Sequence, residues 1–279
     1  MANVSAALGT FDGIHKGHIE VLKSALKSDN AICVTFLYPP HSLKGAVMQP
    51  QIKARKLKEM GFSEVVSLNF SEVKDMPPYD FLWMLHREYG VTNFCCGFDY
   101  RFGKNAEGNT ETLSQFCKEN GFSLTVTPQF TKNGVKVSAT NIRKYIENGQ
   151  LEKANALLSE PFCLEMPVIH GDARGRNLGY PTINQPLPKG IVKLRFGVYI
   201  SQVEVDGITY RGITNIGIRP TYRTNEPRCE TYIIGYKGDL YGKTIRLRPI
   251  QFVRDEEKFG SVTELKNAID TDVRIAEFY

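Results

Sequence analysis

Apolar and polar positions follow two different patterns along the chain, and the first pattern covers the N-terminal half. Short apolar runs predict strands at residues 4–8, 31–37, 65–68, 93–96 and 123–126. Apolar residues at helical spacing predict helices at residues 15–26, 51–60, 79–89, 110–120 and 138–148. Strand–helix alternation builds a parallel sheet that binds ligands at the carboxyl ends of its strands, so this part is predicted to be an α/β domain.

The second pattern begins near residue 162, where helical periodicity gives way to short strands and turn signals. Four runs predict strands, at residues 198–205, 208–213, 230–236 and 244–252. Asp206-Gly207 lies between the first two runs and is a strong signal for a two-residue hairpin. This pattern of short strands separated by turns predicts an antiparallel, barrel-like domain.

One helix is predicted at the end of the chain. Ser261 and Glu264 have the spacing of a capping box. An apolar stripe follows, which predicts a helix packed on the barrel. The stripe is formed by Val262, Leu265, Ile269 and Val273. The change of pattern places the predicted domain boundary between residues 158 and 159, giving domains at 1–158 and 159–279.

Composition limits the function classes. The 279 residues are 42% hydrophobic and 23% charged, which is typical of about two globular domains and excludes a disordered or collagen-like chain. The net charge of +5 is divided evenly, with 18 − 15 = +3 before residue 159 and 17 − 15 = +2 after it. This mild excess suits anionic substrates and does not indicate nucleic acid. No secretory signal or spanning apolar run is present, so a cytoplasmic protein without a membrane partner is expected.

A glycine-rich turn follows the first strand and precedes a helix. Two glycines allow a sharp turn, and the free N–H groups of the helix can bind an anion. His15 and His18 lie three positions apart on one helix face, where imidazoles can donate hydrogen bonds to phosphate. Two exposed histidines or a zinc pair are the alternatives, but no third zinc ligand is evident. The turn consists of Gly9, Thr10, Phe11, Asp12 and Gly13.

Two later segments add candidate phosphate and substrate contacts. Ser138 and Thr140 open a predicted helix, where simple capping is the ordinary role of such residues. Arg143 follows about one turn later and can hold phosphate with two hydrogen bonds. Between these pieces, Asp99 and Lys104 belong to an aromatic loop after a strand, which is typical of a binding loop.

These segments together resemble one enzyme family. GTFDGIHKGH resembles the HxGH signature of nucleotidyltransferases, and VSATNIR resembles their (I/V)SSTxxR motif. GFDYRFGKNAEGN resembles the flavin-side loop of the FMN adenylyltransferase module in bacterial bifunctional riboflavin kinase/FAD synthetases. The resemblance implies a Rossmann-like nucleotidyltransferase domain in which the FMN phosphate attacks the α-phosphate of ATP.

The resemblance also implies roles for the residues already named. The paired histidines would bind ATP phosphates and stabilise the transition state, with Gly9 to Gly13 around them. Ser138, Thr140 and Arg143 would hold the β- and γ-phosphates, whereas Asp99 and Lys104 would face FMN. Ala139 stands where the family has a second serine. One neutral hydrogen bond is worth about 0.5–1.5 kcal/mol, so weaker phosphate binding is expected there, not loss of function.

The second half has a glycine-rich loop followed by hard neutral oxygen ligands. The loop contains Gly171, Gly175 and Gly179 but lacks the GK[ST] ending of a Walker A motif. Thr182 and Asn184 follow, and alternation on an extended segment points both to one face, where they can bind Mg²⁺.

A carboxylate and a loop amide complete the second candidate site. Glu230 begins an apolar strand and can serve as a general base, although a strand-edge charge is the ordinary reading of such a residue. Asn215 lies in a segment that would ordinarily be a loop.

The second half resembles the riboflavin kinase module of the same family. GRNLGYPTIN is similar to GRxLGxPTAN, NIGIRPT to NxGxRPT, and FVRDEEKF, which includes Arg254, to FLRDExxF beside the flavin. The resemblance implies a six-stranded Greek-key barrel with a C-terminal helix, Mg²⁺ on Thr182 and Asn184, and Glu230 as the base. Ile183 replaces the family's alanine, and little chemical effect is expected because its side chain should point away from the metal.

The leading hypothesis is therefore a bifunctional enzyme that phosphorylates riboflavin to FMN and adenylylates FMN to FAD. Its substrates would be ATP, riboflavin and FMN, with Mg²⁺ as cofactor and weak self-association as the only expected protein partnership. One alternative is that a single module is active, most readily the kinase. Others are an RNA-binding barrel, which the even charge distribution does not favour, and adenylyl transfer to another acceptor.

Overall fold

The structure is a computed structural model, and it describes residues 3–40, 45–132, 134–171, 174–218 and 226–279. Contacts divide the chain into two compact units. The N-terminal unit contains Met1–Asn141 and Leu157–Ser159, and the C-terminal unit contains Ile142–Ala156 and Glu160–Tyr279. Residues 142–156 therefore pack with the second unit, although the sequence pattern placed them in the first domain.

The N-terminal unit is built around a five-stranded parallel sheet. Its strands are β1 (Val4–Leu8), β2 (Ala31–Phe36), β3 (Glu64–Leu68), β4 (Val91–Gly97) and β5 (Ser123–Thr127). The helices between them are α1 (Lys16–Ala25), α2 (Pro50–Glu59), α3 (Phe70–Val73), α4 (Pro78–Tyr89) and α5 (Thr110–Asn120). A two-stranded hairpin follows, formed by β6 (Thr131–Lys132) and β7 (Val135–Lys136).

The order of the strands indicates which edge of this sheet could bind a ligand. The order is β3-β2-β1-β4-β5, with every neighbouring pair parallel. The chain reverses its direction of winding between β1 and β4, and in doubly wound sheets ligands bind at the carboxyl ends of such neighbouring strands. Buried apolar side chains from β1, β2, β4, α4 and α5 form the core beneath that edge.

Two helices lead into the C-terminal unit, which is a six-stranded antiparallel sheet. The helices are α6 (Ala139–Glu147) and α7 (Leu151–Leu157), and α8 (Arg174–Asn177) lies within the glycine loop. The strands are β8 (Leu164–Pro167), β9 (Thr182–Pro186), β10 (Gly197–Val205), β11 (Ile208–Gly217), β12 (Arg228–Ile233) and β13 (Thr244–Arg254). Their order is β8-β13-β10-β11-β12-β9.

The two edge strands of this sheet approach each other. Ile169 and Asn184 form an isolated antiparallel bridge. The buried Gln185 side chain of β9 donates to the carbonyl oxygens of Met166, at 2.9 Å, and Ile245, at 3.1 Å. These contacts satisfy backbone groups at the sheet edge and nearly close the barrel. Together the two units have the fold class that the sequence predicted.

The C-terminal helix α9 (Val262–Phe278) is attached to the sheet by polar as well as apolar contacts. Ser261 caps the helix, because its hydroxyl accepts the backbone N–H of Glu264 at 3.2 Å. Val262 is 68% exposed, so it does not belong to the packed stripe that the sequence suggested. The guanidinium of Arg254 donates to both carboxylate oxygens of the buried Asp272, at 3.2 and 2.7 Å.

Strand ends in the barrel differ from the predicted ones. Strand β11 continues through Gly217, four residues beyond the predicted end. Strand β12 ends at Ile233, just before Gly235 adopts a φ of +76°. Glycine accepts that left-handed conformation without steric cost, and the turn ends the ladder earlier than the apolar pattern indicated. Across the described residues, no helix is both long and apolar enough to cross a membrane.

Replacing Asp272 with alanine should destabilise the C-terminal unit by about 2 kcal/mol. The substitution removes the charge-assisted hydrogen bonds from Arg254 and leaves its half-buried guanidinium without this carboxylate. Urea unfolding followed by circular dichroism should show an earlier transition. Fluorescence of Trp83, the only tryptophan, should be unaffected because it reports the N-terminal unit. Lys266→Ala on the exposed helix face is the matched control, and equal transitions for both variants would contradict the assignment.

Two candidate active sites

The glycine turn after β1 is held in a strained backbone conformation. Phe11 and Ile14 have positive φ values of 45° and 41°, which are uncommon for residues with bulky side chains. The buried Asp12 carboxylate accepts the backbone N–H groups of Val47, at 2.8 and 3.0 Å, and Met48, at 3.2 Å. Asp12 therefore secures the turn to the segment before α2.

The two histidines stack on each other at the start of α1. Their ring centroids are 3.4 Å apart with an interplanar angle of 16°. His15 is the N-cap residue of α1, and its Nδ1 accepts the backbone N–H of His18 at 3.2 Å. This hydrogen bond places the proton of a neutral His15 on Nε2. A Cβ at Gly17 would lie only 3.3 Å from the His15 ring, so glycine permits the close stacking.

Burial keeps both imidazoles neutral. Desolvation lowers the pKa of His15 from 6.5 to about 4, although a backbone hydrogen bond and the charge of Asp99 act in the opposite direction. The pKa of His18 is also well below 6.5, because of desolvation first and then the neighbouring His15 and Lys53. At neutral pH the pair therefore presents neutral imidazole rings beside the N-terminus of α1.

A cavity of about 310 Å³ opens at the carboxyl ends of β1, β4 and β5, beside the stacked histidines. It brings together seven of the residues predicted from sequence, namely Gly9, Thr10, Phe11, His15, His18, Asp99 and Ser138. Five others lie outside its lining: Asp12, Gly13, Lys104, Thr140 and Arg143. Most of the predicted phosphate and flavin contacts thus share one cavity.

Residues on both sides of this cavity are held by specific contacts. The Ser138 hydroxyl accepts the backbone N–H of Asn141 at 3.3 Å and so caps α6. Arg143 lies farther along α6, in the part that belongs to the C-terminal unit. The carboxylate of Asp99 pairs with Lys136 Nζ at 3.3 Å, and that ammonium lies 5.2 Å from the ring centre of Phe98.

The candidate kinase residues lie in one row across the antiparallel sheet. Asn184 of β9 pairs with Glu230 of β12, and Glu230 pairs with Asn215 of β11. Asn215 pairs with Val198 of β10, which pairs with Arg254 of β13. Paired residues on neighbouring strands direct their side chains to the same face, so the register places all four predicted polar residues on one face.

Asn184 is the best candidate metal ligand in this row. It is 5% exposed, and its Oδ1 has no hydrogen-bond partner in the described part of the chain. A Cβ at Gly171 would overlap its side-chain amide, so Gly171 lies directly against Asn184. Thr182 lies two residues earlier on the same face. A buried oxygen acceptor beside a hydroxyl suits a hard cation such as Mg²⁺.

The glycine loop borders a second cavity, of about 370 Å³. A Cβ at Gly175 would overlap the carbonyl of Tyr180, so the loop turns back tightly at this point. Gly179 follows with a φ of +87°. The cavity is lined by Thr182 together with Arg176, Lys237 and Tyr241, but not by Asn184 or Glu230. Among the described residues, no cluster of three His, Cys, Asp or Glu side chains could hold a metal.

Three contacts at this site could not be anticipated from local sequence. Glu256 accepts the side-chain N–H of Asn215 at 3.1 Å, and a Cβ at Gly217 would overlap its carboxylate. The Tyr180 hydroxyl donates to Asp270 of α9. Arg254, predicted to border the flavin, pairs with Asp272 instead of projecting freely. In the predicted NIGIRPT segment, residues 219–221 lie outside the described residues.

Comparisons with known proteins agree with this arrangement. A FAD synthetase model matches residues 1–141, and a riboflavin kinase model matches residues 158–279. The bifunctional riboflavin kinase/FMN adenylyltransferase of Bacillus subtilis (strain 168) is 30% identical, and the match covers 98% of this chain and 91% of that protein. The corresponding Escherichia coli (strain K12) protein is 32% identical with the same coverage. The chain belongs to the bifunctional riboflavin kinase/FMN adenylyltransferase family.

A solved structure is similar over the same length. It is described as a macrolide-efflux protein from Streptococcus pneumoniae, has a TM-score of 0.88 at 30% identity, and covers 100% of this chain and 94% of that one. The FAD synthetase match falls on the unit with the stacked histidines, and the riboflavin kinase match includes the row with Glu230. The comparisons confirm an enzyme with both modules, as the sequence predicted.

His15 should remain neutral from pH 8 down to about pH 5, because burial lowers its pKa to about 4. An unfolded histidine protonates near 6.5, so the stability that this group contributes should be lost as pH falls from 6.5 towards 4. NMR titration of the histidine ring signals, with the urea-unfolded chain as control, measures both midpoints. A His15 midpoint near 6.5 in the folded chain would contradict the burial argument.

Proposed function

We propose that each unit of this bifunctional family member carries one reaction at the site described above. Riboflavin is phosphorylated to FMN with ATP beside the row containing Asn184 and Glu230. FMN is adenylylated to FAD in the cavity beside His15 and His18, with release of pyrophosphate. The observation that carries this assignment is that each polar cluster lies in the unit whose family model names the matching activity.

In adenylyl transfer, an FMN phosphate oxygen forms a bond to the α-phosphorus of ATP. The bond from that phosphorus to the bridging oxygen breaks, and pyrophosphate leaves with the electron pair. His15 Nε2–H, the paired His18 and the N-terminus of α1 donate hydrogen bonds to the charge that develops. No covalent enzyme intermediate is required, so the buried cysteines have no role in this step.

The remaining assignments around this cavity follow from position. Ser138 at the start of α6 faces the cavity and is proposed to contact the β- and γ-phosphates. The phosphate contact expected of Arg143 rests on the sequence motif alone, since that residue does not line the cavity. Asp99 and the aromatic loop around it are proposed to face FMN. Thr140 and Lys104 are exposed outside the cavity lining and are assigned no direct contact.

In the kinase reaction, Glu230 takes the proton of the terminal ribityl hydroxyl of riboflavin. The resulting oxygen nucleophile attacks the γ-phosphorus of ATP, the bond to the β-phosphate oxygen breaks, and ADP leaves. Asn184 Oδ1 and the Thr182 hydroxyl would hold Mg²⁺, which neutralises phosphate charge when it is bound. The half-buried position of Glu230, beside Asn184 and Asn215, directs the base towards that face.

The surroundings of the row are proposed to bind the two kinase substrates. The loop with Gly171, Gly175 and Gly179, together with Arg176 on the second cavity, is proposed to receive the ATP phosphates. Asn215 and Arg254, held by Glu256 and Asp272, are proposed to border the flavin. We also propose a cytoplasmic location, since all six cysteines are buried free thiols.

Glu230→Gln should reduce FMN formation by about 10²- to 10⁴-fold, because the amide cannot accept the hydroxyl proton. FAD formation from supplied FMN should stay within twofold. Chromatographic separation of flavins after incubation with riboflavin or FMN, ATP and Mg²⁺ measures both reactions. Glu226→Gln, at an exposed nearby carboxylate, is the control. Undiminished FMN formation by the Glu230 variant would exclude it as the base.

His18→Ala should produce the opposite pattern. FAD formation should fall by about 10²- to 10³-fold, the loss typical for removal of one transition-state donor, while riboflavin phosphorylation persists. Lys23→Ala, on the exposed side of α1, should change neither activity. Loss of both activities in a folded His18 variant would refute separate sites.

A further inference from the structure

Lys53 is a buried cation beneath the adenylyl-transfer cavity that the sequence analysis did not single out. It lies in the first turns of α2 and is 2% exposed. Within the described ranges, it is the only lysine or arginine that is buried as a whole residue. Burying an ammonium group is costly unless its N–H groups are hydrogen-bonded and its charge is compensated.

The Lys53 ammonium joins the ends of two neighbouring strands. Nζ donates to the Thr10 carbonyl at 3.1 Å, to the Thr35 hydroxyl at 3.3 Å and to the Phe36 carbonyl. The Thr35 hydroxyl also donates to the Thr10 carbonyl, at 2.8 Å. Thr10 follows β1 and Phe36 ends β2, and both residues line the cavity. The lysine therefore fixes part of the cavity wall from behind.

The groups that face this charge come from three elements. Asp12 lies in the glycine turn, Cys33 in β2 and His18 in α1. Burial lowers the pKa of Lys53 to about 8, with Asp12 and Cys33 opposing the shift, so the ammonium is mostly protonated at neutral pH. The same positive charge helps to keep His18 neutral. Lys53 is thus coupled to the histidine pair without contacting the cavity directly.

We propose that Lys53 is a positioning residue for adenylyl transfer, which holds the Thr10 turn against the end of β2 and places a fixed positive charge beneath the phosphates. This inference rests on the proposed use of the cavity for FAD formation. It assigns to Lys53 two effects that a neutral residue of similar size cannot both supply. The turn is fixed through its carbonyl oxygen, and the anionic substrates meet a charge that needs no reorganisation.

The test compares Lys53→Met, Lys53→Gln and Lys53→Arg with the wild-type chain. Lys58→Met, at an exposed position of α2, is the matched control. FAD formation from FMN and ATP and FMN formation from riboflavin and ATP are measured in the same preparations, together with NMR titration of His18. Circular dichroism and Trp83 fluorescence establish whether each variant is folded.

The methionine and glutamine variants should lose at least tenfold in FAD formation while riboflavin phosphorylation stays within twofold. The His18 midpoint should move to higher pH in both, because the neighbouring charge is removed. The arginine variant, which keeps the charge, should lose less activity and leave the midpoint low. If the methionine variant does not fold, the glutamine and arginine pair decides, since both keep N–H donors but only arginine keeps the positive charge.

FAD formation within twofold of wild type in the glutamine variant would overturn the inference. So would a loss of activity with an unchanged His18 midpoint, because that result would show a purely structural role. A wild-type chain that forms no FAD at all would instead overturn the proposed function of the cavity. The two failures are therefore distinguishable in one set of measurements.

Discussion

The N-terminal site depends on a turn that must reverse the chain between β1 and α1 within seven residues, while the first N–H groups of the helix face a cavity. Phe11 and Ile14 meet this requirement with positive φ angles, and such conformations cost about 1–3 kcal/mol each. The cost is offset by anchors from elsewhere in the sheet. Asp12 holds the segment before α2, and Lys53 and Thr35 hold the Thr10 carbonyl.

The free-energy cost of a buried charge explains why the stacked histidines are neutral. A pair of charged imidazoles at 3.4 Å would repel strongly, and desolvation would add to that cost. Neutral rings avoid both penalties and still present N–H donors beside the positive end of α1. The phosphate binding proposed for this cavity would therefore rely on oriented dipoles and on nearby cations such as Lys136, not on charged histidines.

In the C-terminal site, the relative positions of the side chains depend on strand register. Asn184, Glu230 and Asn215 come from three strands, and only one register places them side by side. A slip of one residue would turn each side chain to the opposite face. Buried residues on the alternate face, such as Thr214 and Thr231, which share a hydrogen bond at 3.0 Å, oppose that slip. Packing inside the barrel thus keeps the polar row aligned outside it.

Local sequence was sufficient for the features that are themselves local. Short periodic or glycine-rich segments predict the parallel sheet, the barrel and the histidine pair. The structural role of Asp12, the burial of Lys53 and the position of Glu256 depend on partners 35, 43 and 41 residues away. No nearby pattern encodes such distances, although the spacing of Lys53 from the buried Leu57 on α2 hints that it faces inward.

The packing of residues 142–156 has a practical meaning for dissecting the protein. Gly149 lies against the ring of Phe252 and the side chain of Arg195, with a hypothetical Cβ only 3.2 Å from either. A fragment starting at residue 158, where the riboflavin kinase match begins, would lack this contact with the barrel. A kinase fragment should therefore include Ile142–Ala156, which packs with the C-terminal unit but lies outside both family matches.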